Sequence, residues 1–433
     1  MGSIWQENTS LPAFAPLERD ARTDVLIIGG GMAGLLCAYM LQQAGVPYIL
    51  VEADRLCGGV TGKTTAKLTA QHGLIYHKLI RRFDVQTAKR YLHANLAALN
   101  RYREISRNIP CDFEGKDSYV YSMDSPLELR QELEALERIG YSGELVTDIP
   151  LPFPTAGAIR FPDQAQFNPL KFAAGIARGL NIYEHTPVRG FDGRRYLTDR
   201  GRITAKKTIV ATHFPFLNKH GAYFLKLYQH RSYVLALENG PEVGGMYVDD
   251  ESTGLSLRNY GRYLLLGGGA HRTGKHGGGW AELEAFAAKH YPGAAIRYRW
   301  ATQDCMSLDG VPYIGPYSAG TPDLFVATGF NKWGMTGSMA ASMVLCDQVQ
   351  GKPSPYGEVF SPQRSILRPQ LAANACHAAG NLLTPTVPRC PHLGCALKWN
   401  PQEHSWDCPC HGSRFTENGT LINGPATGDL KKK

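Results

Sequence analysis

The chain has 433 residues, of which 43% are hydrophobic and 19% charged, and this composition is typical of globular proteins with two or three domains. Its net charge of +8 includes only one basic run, Lys431–Lys433, which disfavours a nucleic-acid partner. The sequence has neither a secretory signal pattern nor an apolar run near the ~18 residues that span a bilayer, so we expect a cytoplasmic protein without a transmembrane segment.

The first predicted elements form a βαβ unit over residues 23–53. TDVLIIGG predicts a buried strand, GMAGLLCAYMLQQAG a helix, and YILVEA a second buried strand. Gly29, Gly31 and Gly34 have the G-x-G-x-x-G spacing that permits a tight turn, a close pyrophosphate and close helix packing. Glu52 ends the second strand, where a carboxylate accepts hydrogen bonds from an adenosine ribose. Since all these parts occur in order, a dinucleotide site explains them better than a structural turn.

Small residues dominate the stretch that follows, LCGGVTGKTTAKLTAQHGLIY (56–76). Its Gly, Ala and Thr residues, Thr64 and Thr65 among them, fit a backbone that is pressed against a bulky cofactor. A mobile loop has the same composition, so composition alone leaves both interpretations open.

Beyond this point the chain resembles the D-amino-acid-oxidase-like (DAO) family of FAD-dependent oxidoreductases, along residues 20–350. The resemblance rests on FNPLKFAAGIARGLNIYEHTPV (167–188), KKTIVATHFPF (206–216) and SLDGVPYIGPYSAGTPDLFVATGFNKWGMTGSMAA (307–341). It implies an α/β fold in which an FAD-binding Rossmann-type domain, of the DAO and glutathione-reductase kind, is interleaved with an antiparallel-sheet substrate domain. The FAD contacts that it implies are Val188, Ala211, Thr212, Gly329, Gly334, Met335 and Thr336.

The resemblance divides the oxidoreductase body, residues 1–360, into interleaved parts. We expect the FAD-binding parts at residues 20–90, 160–216 and 300–350, and the substrate-binding parts at 91–159 and 217–299. The strand patterns YQHRSYVLALE and TGLSLRNYGRYLLLGGG favour an antiparallel sheet in the second substrate-binding part.

Two helix starts are predicted from local residues. Ser125-Pro126-Leu127-Glu128 has the capping-box pattern with proline at the first helical position. Gly334 and Gly337 lead into SMAASMVLCDQVQ, which predicts a helix from Ser338 to near Gly351. The positive end of this helix would face the flavin N1/C2 carbonyl region and stabilise the reduced flavin, although an ordinary helix start can have the same glycines.

The expected substrate is a small amine or amino-acid-like molecule that gives a hydride to the flavin. A substrate carboxylate needs a cation, and Arg258 and Arg231 are candidates because arginine forms the bidentate pair best; a structural role is the alternative for both. The candidates for lining the pocket are His230, Tyr233, His271 and Trp333. A position in the core is the alternative for each. The sequence has no second G-x-G-x-x-G, which argues against electrons from NAD(P)H.

Residues 390–411, CPHLGCALKWNPQEHSWDCPCH, contain the ligand pairs Cys390-x-His392 and Cys408-x-x-His411. Such a set can bind zinc as Cys₂His₂. The string CPHLGC…CPCHGS closely resembles the loops of Rieske proteins, in which two cysteines hold one iron and two histidines the other. The resemblance implies a [2Fe–2S] cluster on these four residues and a disulfide between Cys395 and Cys410.

The residues after His411 bear on the reduction potential of such a cluster. In high-potential relatives, a serine and a tyrosine, two and four residues after the second histidine, donate hydrogen bonds to cluster sulfurs. Here Ser413 is present, but Phe415 occupies the tyrosine position. The resemblance therefore implies a potential below the top of the Rieske range.

The segment before Cys390 departs from the Rieske pattern, which normally has several strands there. Residues 361–389 show little strand alternation and are interpreted as a linker, which leaves residues 390–433 as a Rieske-type segment with a truncated base. The short base weakens the expected support of the cluster, since metal ligands need rigid surroundings.

These observations predict an FAD-dependent dehydrogenase that relays electrons through a Rieske cluster to an acceptor protein or a quinone. One alternative is an electron-transfer or redox protein without small-molecule turnover. Another is an oxidase with a vestigial Rieske tail.

Overall fold

The structure, a computed structural model, describes residues 2–217, 220–251, 254–385 and 388–431, so Lys432 and Lys433 of the basic run lie outside it. The strands of the larger part are β1 (Ala21–Ile28), β2 (Tyr48–Val51), β3 (Lys67–Leu68), β4 (Glu114–Ser122), β5 (Glu144–Val146), β6 (Gly157–Gln166), β7 (Ile182–Tyr183), β8 (Gly190–Asp192), β9 (Arg195–Leu197), β10 (Arg202–Val210), β11 (Leu227–Glu238), β12 (Met246–Asp249), β13 (Ser256–Tyr260), β14 (Tyr263–Arg272), β15 (Ala295–Ser307), β16 (Tyr313–Pro316) and β17 (Leu324–Thr328). The C-terminal strands are β18 (Lys398–Asn400), β19 (Ser405–Asp407), β20 (Arg414–Thr416) and β21 (Leu421–Asn423).

The helices connect and cover these strands. They are α1 (Ile4–Asn8), α2 (Met32–Gln43), α3 (Tyr76–Arg82), α4 (Val85–Ser106), α5 (Pro126–Arg138), α6 (Pro169–Ile176), α7 (Tyr223–Lys226), α8 (Gly279–His290), α9 (Gly334–Val349) and α10 (Pro369–Leu383), with a 3-10 turn at Val60–Lys63. Within the described ranges, no helix has the length and apolarity needed to cross a membrane.

The first sheet is mainly parallel and has the strand order β16–β17–β10–β1–β2–β7, with the β8–β9 hairpin on β10. Strand β10 pairs in parallel with both β1 and β17, so the carboxyl ends of these three strands lie at one edge. The residues that follow them are Gly29, Ala211 and Gly329. The parallel pairing therefore brings together three segments that are far apart in the sequence and were assigned separately to the cofactor.

The second sheet has the order β15–β11–β14–β13–β12–β4–β6–β3 and is antiparallel except for the β4–β12 pair. One face, with Val234, Ala236 and Leu265, packs in the same core as α2 and the first sheet. The opposite face packs under α8 through residues such as Leu257 and Leu283. This mixed architecture confirms the predicted α/β class with an interleaved, mainly antiparallel sheet.

The C-terminal part forms a four-stranded antiparallel sheet in the order β18–β19–β20–β21, and all four strands follow Cys390. Between 361 and 389, the described residues contain helix α10 and no strand. Within the segment interpreted as a linker, Pro369–Leu383 is helical, which the sequence analysis did not predict.

Two local predictions also differ from the structure. The helix expected from Ser338 begins at Gly334, because the glycine turn before it is itself helical, and it ends at Val349. Helix α5 begins at Pro126 as expected, but the Ser125 side chain accepts no capping hydrogen bond. Its backbone N–H donates instead to Ser122 Oγ at 3.3 Å, so the preceding turn holds the helix start.

Candidate functional site

The glycine turn after β1 has two kinds of glycine. A Cβ at Gly29 would lie 2.5 Å from the carbonyl oxygen of Ala211, and one at Gly34 would overlap the carbonyl oxygen of Gly29. Packing within the protein therefore requires these two. At Gly31 a Cβ would meet only Thr61 Oγ1, at an ordinary 3.5 Å, so the missing side chain leaves open space in front of α2. A group from outside the protein can approach the backbone there.

Glu52 lies against the same turn. Its Oε2 accepts a hydrogen bond from the N–H of Gly30 at 2.6 Å, and its Oε1 accepts one from the N–H of Asp54 at 3.0 Å. Burial raises the pKa of Glu52, while these two N–H donors act in the opposite direction. Val188 is buried on the other face of β1 and β2, beside Ile49.

The loop with Thr64 and Thr65 is held by two indole rings. Trp5, from α1, donates to the carbonyl oxygen of Thr64 at 2.7 Å, and Trp300, from β15, donates to that of Lys63 at 2.9 Å. Thr65 Oγ1 accepts a hydrogen bond from Lys67 Nζ at 3.2 Å. The bonds from Trp5 and Trp300 anchor the backbone of the loop whose composition fits either a cofactor contact or a mobile loop.

The segment from Gly329 to Thr336 continues from β17 into α9. Gly329 has a left-handed φ of +72°. Thr336 Oγ1 lies 2.9 Å from Nε2 of His72, whose ring stacks on Trp333 with centroids 4.9 Å apart. Burial lowers the pKa of His72 to about 3, so the ring is neutral. His72 thus fixes the start of α9, a role that its position in a small-residue stretch did not reveal.

Arg258 is fully buried on the sheet face that is directed toward the first sheet, in register with Leu265. Its Nη2 donates to the carbonyl oxygen of Phe167 at 3.4 Å, and its guanidinium lies over the Trp5 ring. Nε and Nη1 have no hydrogen-bond partner among the described residues. Burial lowers the pKa of Arg258 to about 9, and burial and then Arg258 lower that of Lys67 to about 7. Arg258 is a buried cation, and the neighbouring Lys67 is half-buried and partly protonated at neutral pH, so the pair can accept an anionic group.

Arg231 does not share this environment. It is buried and makes a bidentate pair with Glu403 of the C-terminal part, one bond of which is 2.8 Å long. Tyr233 OH also contacts Glu403, at 3.3 Å, and His271 Nε2, at 3.1 Å. Arg231 and Tyr233 therefore bind the C-terminal part to the body, and Arg231 is not available to a substrate carboxylate. His230, on the opposite face of β11, packs against Tyr228 with ring centroids 5.4 Å apart.

The two cluster loops have the same backbone geometry. The carbonyl oxygen of Cys390 accepts from the N–H of Gly394, and that of Cys408 from the N–H of Gly412, both at 2.9 Å. The two glycines have φ values of +79° and +78°, which favour glycine at these positions. This geometry places Cys390 and Cys408 in corresponding turns, and a disulfide joins the loops through Cys395 and Cys410.

The four predicted ligands come together at the loop tips. The rings of His392 and His411 lie 5.0 Å apart. A hydrogen bond from Cys408, and then N–H groups of the loop, lower the pKa of Cys390 to about 7, which favours a thiolate. Desolvation lowers the pKa of His392 to about 4 and that of His411 to about 3, so both imidazoles are neutral. The hydrogen bond to Cys390 and then burial raise the pKa of Cys408, so of this pair Cys390 is the more acidic thiol. Iron would deprotonate both, and two thiolates with two neutral imidazoles are the ligand set of a Rieske cluster.

His411 also contacts the oxidoreductase body directly. Its Nε2 donates to the carbonyl oxygen of Phe224 at 3.0 Å, which leaves Nδ1 deprotonated. Nδ1 is buried and has no hydrogen-bond partner in the described part of the chain, as expected of an atom that ligates a metal. The Phe214 ring lies 5.9 Å from that of His411 and 6.3 Å from that of His392. Sequence patterns gave no sign of these aromatic contacts.

Comparison with family models gives two matches. Residues 24–348 match the model described as FAD dependent oxidoreductase (DAO), and residues 377–432 match the Rieske [2Fe-2S] domain. The chain is similar to the putative Rieske 2Fe-2S iron-sulfur protein YhfW of Bacillus subtilis, with 34% identity in an alignment of 496 positions that covers 99% of this chain and 97% of that protein. It is also 33% identical over 101 residues to cytochrome b6-f complex iron-sulfur subunit 3 of a Nostoc species, covering 21% of this chain and 56% of that subunit.

Two solved structures with a similar fold are named as a glycine oxidase and an L-proline dehydrogenase. Glycine oxidase from Geobacillus kaustophilus has a TM-score of 0.67 and 20% identity, covering 80% of this chain and all of that one. L-proline dehydrogenase from P. horikoshii has a TM-score of 0.66 and 16% identity, covering 80% of this chain and 98% of that one. At these identities the likeness concerns the fold.

Proposed function

Because the chain belongs to the DAO family of FAD-dependent oxidoreductases and carries a C-terminal Rieske domain, we propose that it is a dehydrogenase whose electrons leave through the cluster. FAD and a [2Fe–2S] cluster are therefore its cofactors, as the sequence predicts. The proposed substrate is a small amine or amino-acid-like molecule.

The observation that carries this proposal is the contact between the cluster ligands and the cofactor edge of the first sheet. Phe214 follows Ala211 by three residues, and Ala211 lies against the glycine turn. The same Phe214 packs on both ligand histidines. In addition, Thr328, just before Gly329, donates to the carbonyl oxygen of His213 at 2.5 Å. A Rieske domain seated on this edge is in position to exchange electrons with the flavin.

We assign the cofactor contacts residue by residue. Gly29, Gly31 and Gly34 would hold the FAD pyrophosphate at the start of α2, and Glu52 the adenosine ribose. The further contacts proposed for FAD are Thr64, Thr65, Val188, Ala211, Thr212, Gly329, Gly334, Met335 and Thr336. Cys390 and Cys408 would ligate one iron, and His392 and His411 the other.

When bound, FAD supplies the two-electron acceptor and the cluster a one-electron carrier. The chain's own residues bind and orient the reactants. Arg258 and Lys67 would attract the carboxylate of the substrate, since two of the guanidinium nitrogens of Arg258 have no partner within the described ranges. Trp5 and Trp300 hold the loop at Lys63 and Thr64 in place against the cofactor.

The test is anaerobic reduction of the purified protein with a panel of amino acids and small amines, followed by absorbance and EPR. We expect a substrate to bleach the flavin and to produce the EPR signal of a reduced His/Cys-ligated cluster. In Cys390→Ser the flavin should still bleach without that signal. Flavin reduction that never reaches an intact cluster would favour an oxidase with a vestigial tail. A flavin that no substrate bleaches, but a protein partner reduces, would favour a redox protein without turnover.

A further inference from the structure

Helix α10 presents an apolar face to solvent. Every exposed position along Pro369–Leu383 is proline, alanine, cysteine, glycine or leucine. Leu382 is 45% exposed and Leu383 is 82% exposed. A helix face without charged or polar side chains is unusual on a free surface, and it indicates a site of interaction.

This face continues into the first cluster loop. Arg389 donates to the carbonyl oxygens of Leu382, at 3.2 Å, and Gly394, at 2.8 Å. Leu393, next to the ligand His392, is 41% exposed. We call Leu382, Leu383 and Leu393 the cluster-side patch. It extends to the residue beside a cluster ligand, so a protein bound to it would lie within short electron-transfer distance.

The rim of the patch is basic. The sequence contains no Asp or Glu between Glu358 and Glu403, a stretch that includes α10 and the first cluster loop. Arg389 and Lys398 are exposed in this stretch. Glu403 is itself buried in ion pairs with Arg231 and Arg414. A positive rim around an apolar centre attracts an acidic partner and repels a basic one.

The composition of α10 favours a protein over a lipid surface. Helices that lie in a membrane interface insert Trp, Phe and Leu, and lipid-binding clusters contain ~4–8 Lys or Arg residues. The exposed face of α10 consists mostly of Ala and Gly, and no exposed residue of the helix is aromatic or basic. Small residues allow a flat partner surface to approach closely.

We propose that the cluster-side patch docks an acidic one-electron carrier protein, which accepts one electron from the reduced cluster. The carrier gains the electron that the cluster loses, so the step needs no further reactant and moves no proton. The direction of this transfer rests on the proposed function. Docking itself does not depend on substrate oxidation.

The experiment uses the holoprotein, reduced anaerobically with dithionite and mixed in a stopped-flow instrument with c-type cytochromes. One cytochrome has an acidic surface and one a basic surface. Leu383→Asp places a negative charge in the patch, and Lys398→Glu reverses an exposed charge five residues after Leu393. Leu127→Asp is the matched control, since Leu127 is a 61% exposed leucine on α5. EPR of each reduced variant checks that the cluster is intact.

For the acidic cytochrome, we expect a rate constant that falls with added salt and falls about ten-fold in Leu383→Asp, with a smaller decrease in Lys398→Glu. Leu127→Asp should match the wild type, and neither patch variant should slow the basic cytochrome. Equal rates in Leu383→Asp and Leu127→Asp, or faster oxidation by the basic cytochrome, would overturn the proposal. So would binding to phosphatidylglycerol vesicles that Leu383→Asp abolishes while leaving the cytochrome rate unchanged. Dithionite reduces the cluster directly and its excess is removed before mixing, so failure of flavin-to-cluster transfer would not alter these results.

Discussion

Arg258 is a fully buried cation that has no carboxylate within ion-pair distance in the described part of the chain. Burying a charge without a partner destabilises a fold, and such a cost is tolerated where a ligand supplies the counter-charge. The proposed role of Arg258 in binding a substrate carboxylate rests on this missing counter-charge, whereas Arg231 pairs with Glu403 of the C-terminal part.

Arg258→Met should therefore impair catalysis more than folding. A charge-assisted hydrogen bond contributes about 1.5–3 kcal/mol, so kcat/KM for an amino acid should fall roughly 10- to 100-fold. The melting temperature should stay the same or rise, because an unpaired buried charge is removed. Steady-state kinetics with an amino acid and with the corresponding amine provide the check. An equal loss for both substrates would contradict the role in carboxylate binding.

Phe415 is fully buried among the cluster cysteines and has no donor to offer them. Ser413 Oγ accepts from the N–H of Ala426 at 3.1 Å, and its hydroxyl lowers the pKa of Cys390. Each donor to a cluster sulfur favours the reduced, more negative state.

Redox titration by EPR should therefore show a higher midpoint potential in Phe415→Tyr and a lower one in Ser413→Ala. A hydrogen bond of about 0.5–1.5 kcal/mol corresponds to roughly 20–65 mV for one electron. The iron content of each variant serves as the control. An unchanged potential in fully loaded Phe415→Tyr would show that the added hydroxyl does not reach a sulfur.

An ion-pair network joins the four-stranded C-terminal sheet to the oxidoreductase body. Glu403, after β18, pairs with Arg231 of β11 and with Arg414 of β20. Burial alone would raise the pKa of Glu403, but the two arginines outweigh it and hold the pKa below its usual value. A depressed pKa in the folded state gives stability that is present above the unfolded pKa of about 4.3 and is lost as the pH falls through the folded pKa.

Glu403→Gln should lower the stability of this contact by about 3–5 kcal/mol at neutral pH, because it leaves a buried arginine unpaired. Limited proteolysis after α9, followed across pH, measures release of the C-terminal part. The wild type should release it as the pH falls below about 4, and the variant should release it at neutral pH. If the two proteins show the same pH profile, the network does not hold the domains together.

Elements whose conformation depends on a short local pattern could be predicted from the sequence. The glycine turn after β1 and the two cluster loops are of this kind. Helix α10 escaped prediction because only Asn374 of its residues is buried, so it lacks the apolar stripe that identifies a helix. The contacts of His411 with Phe214 and Phe224 join residues nearly 200 positions apart, and periodicity carries no information about such pairs.

The Rieske domain contacts the oxidoreductase body on two sides. The ion pairs of Glu403 fix it against β11, and the His411 Nε2–H bond to Phe224 fixes the ligand itself. Gln303 of β15 also donates to the carbonyl oxygen of Gly412, at 2.8 Å. These contacts hold the cluster loops against the body, and such contacts help to give cluster ligands rigid surroundings.

Under the proposed function, a fixed domain predicts that electrons pass from flavin to cluster within one molecule. Flash photoreduction of the flavin in the anaerobic holoprotein, with absorbance recorded for both cofactors, tests this most directly. We predict that the cluster is reduced as the flavin is reoxidised, with one rate constant that does not change over a wide range of protein concentration. A rate that rises in proportion to protein concentration, or a flavin that stays reduced beside an oxidised cluster, would contradict electron transfer within one molecule.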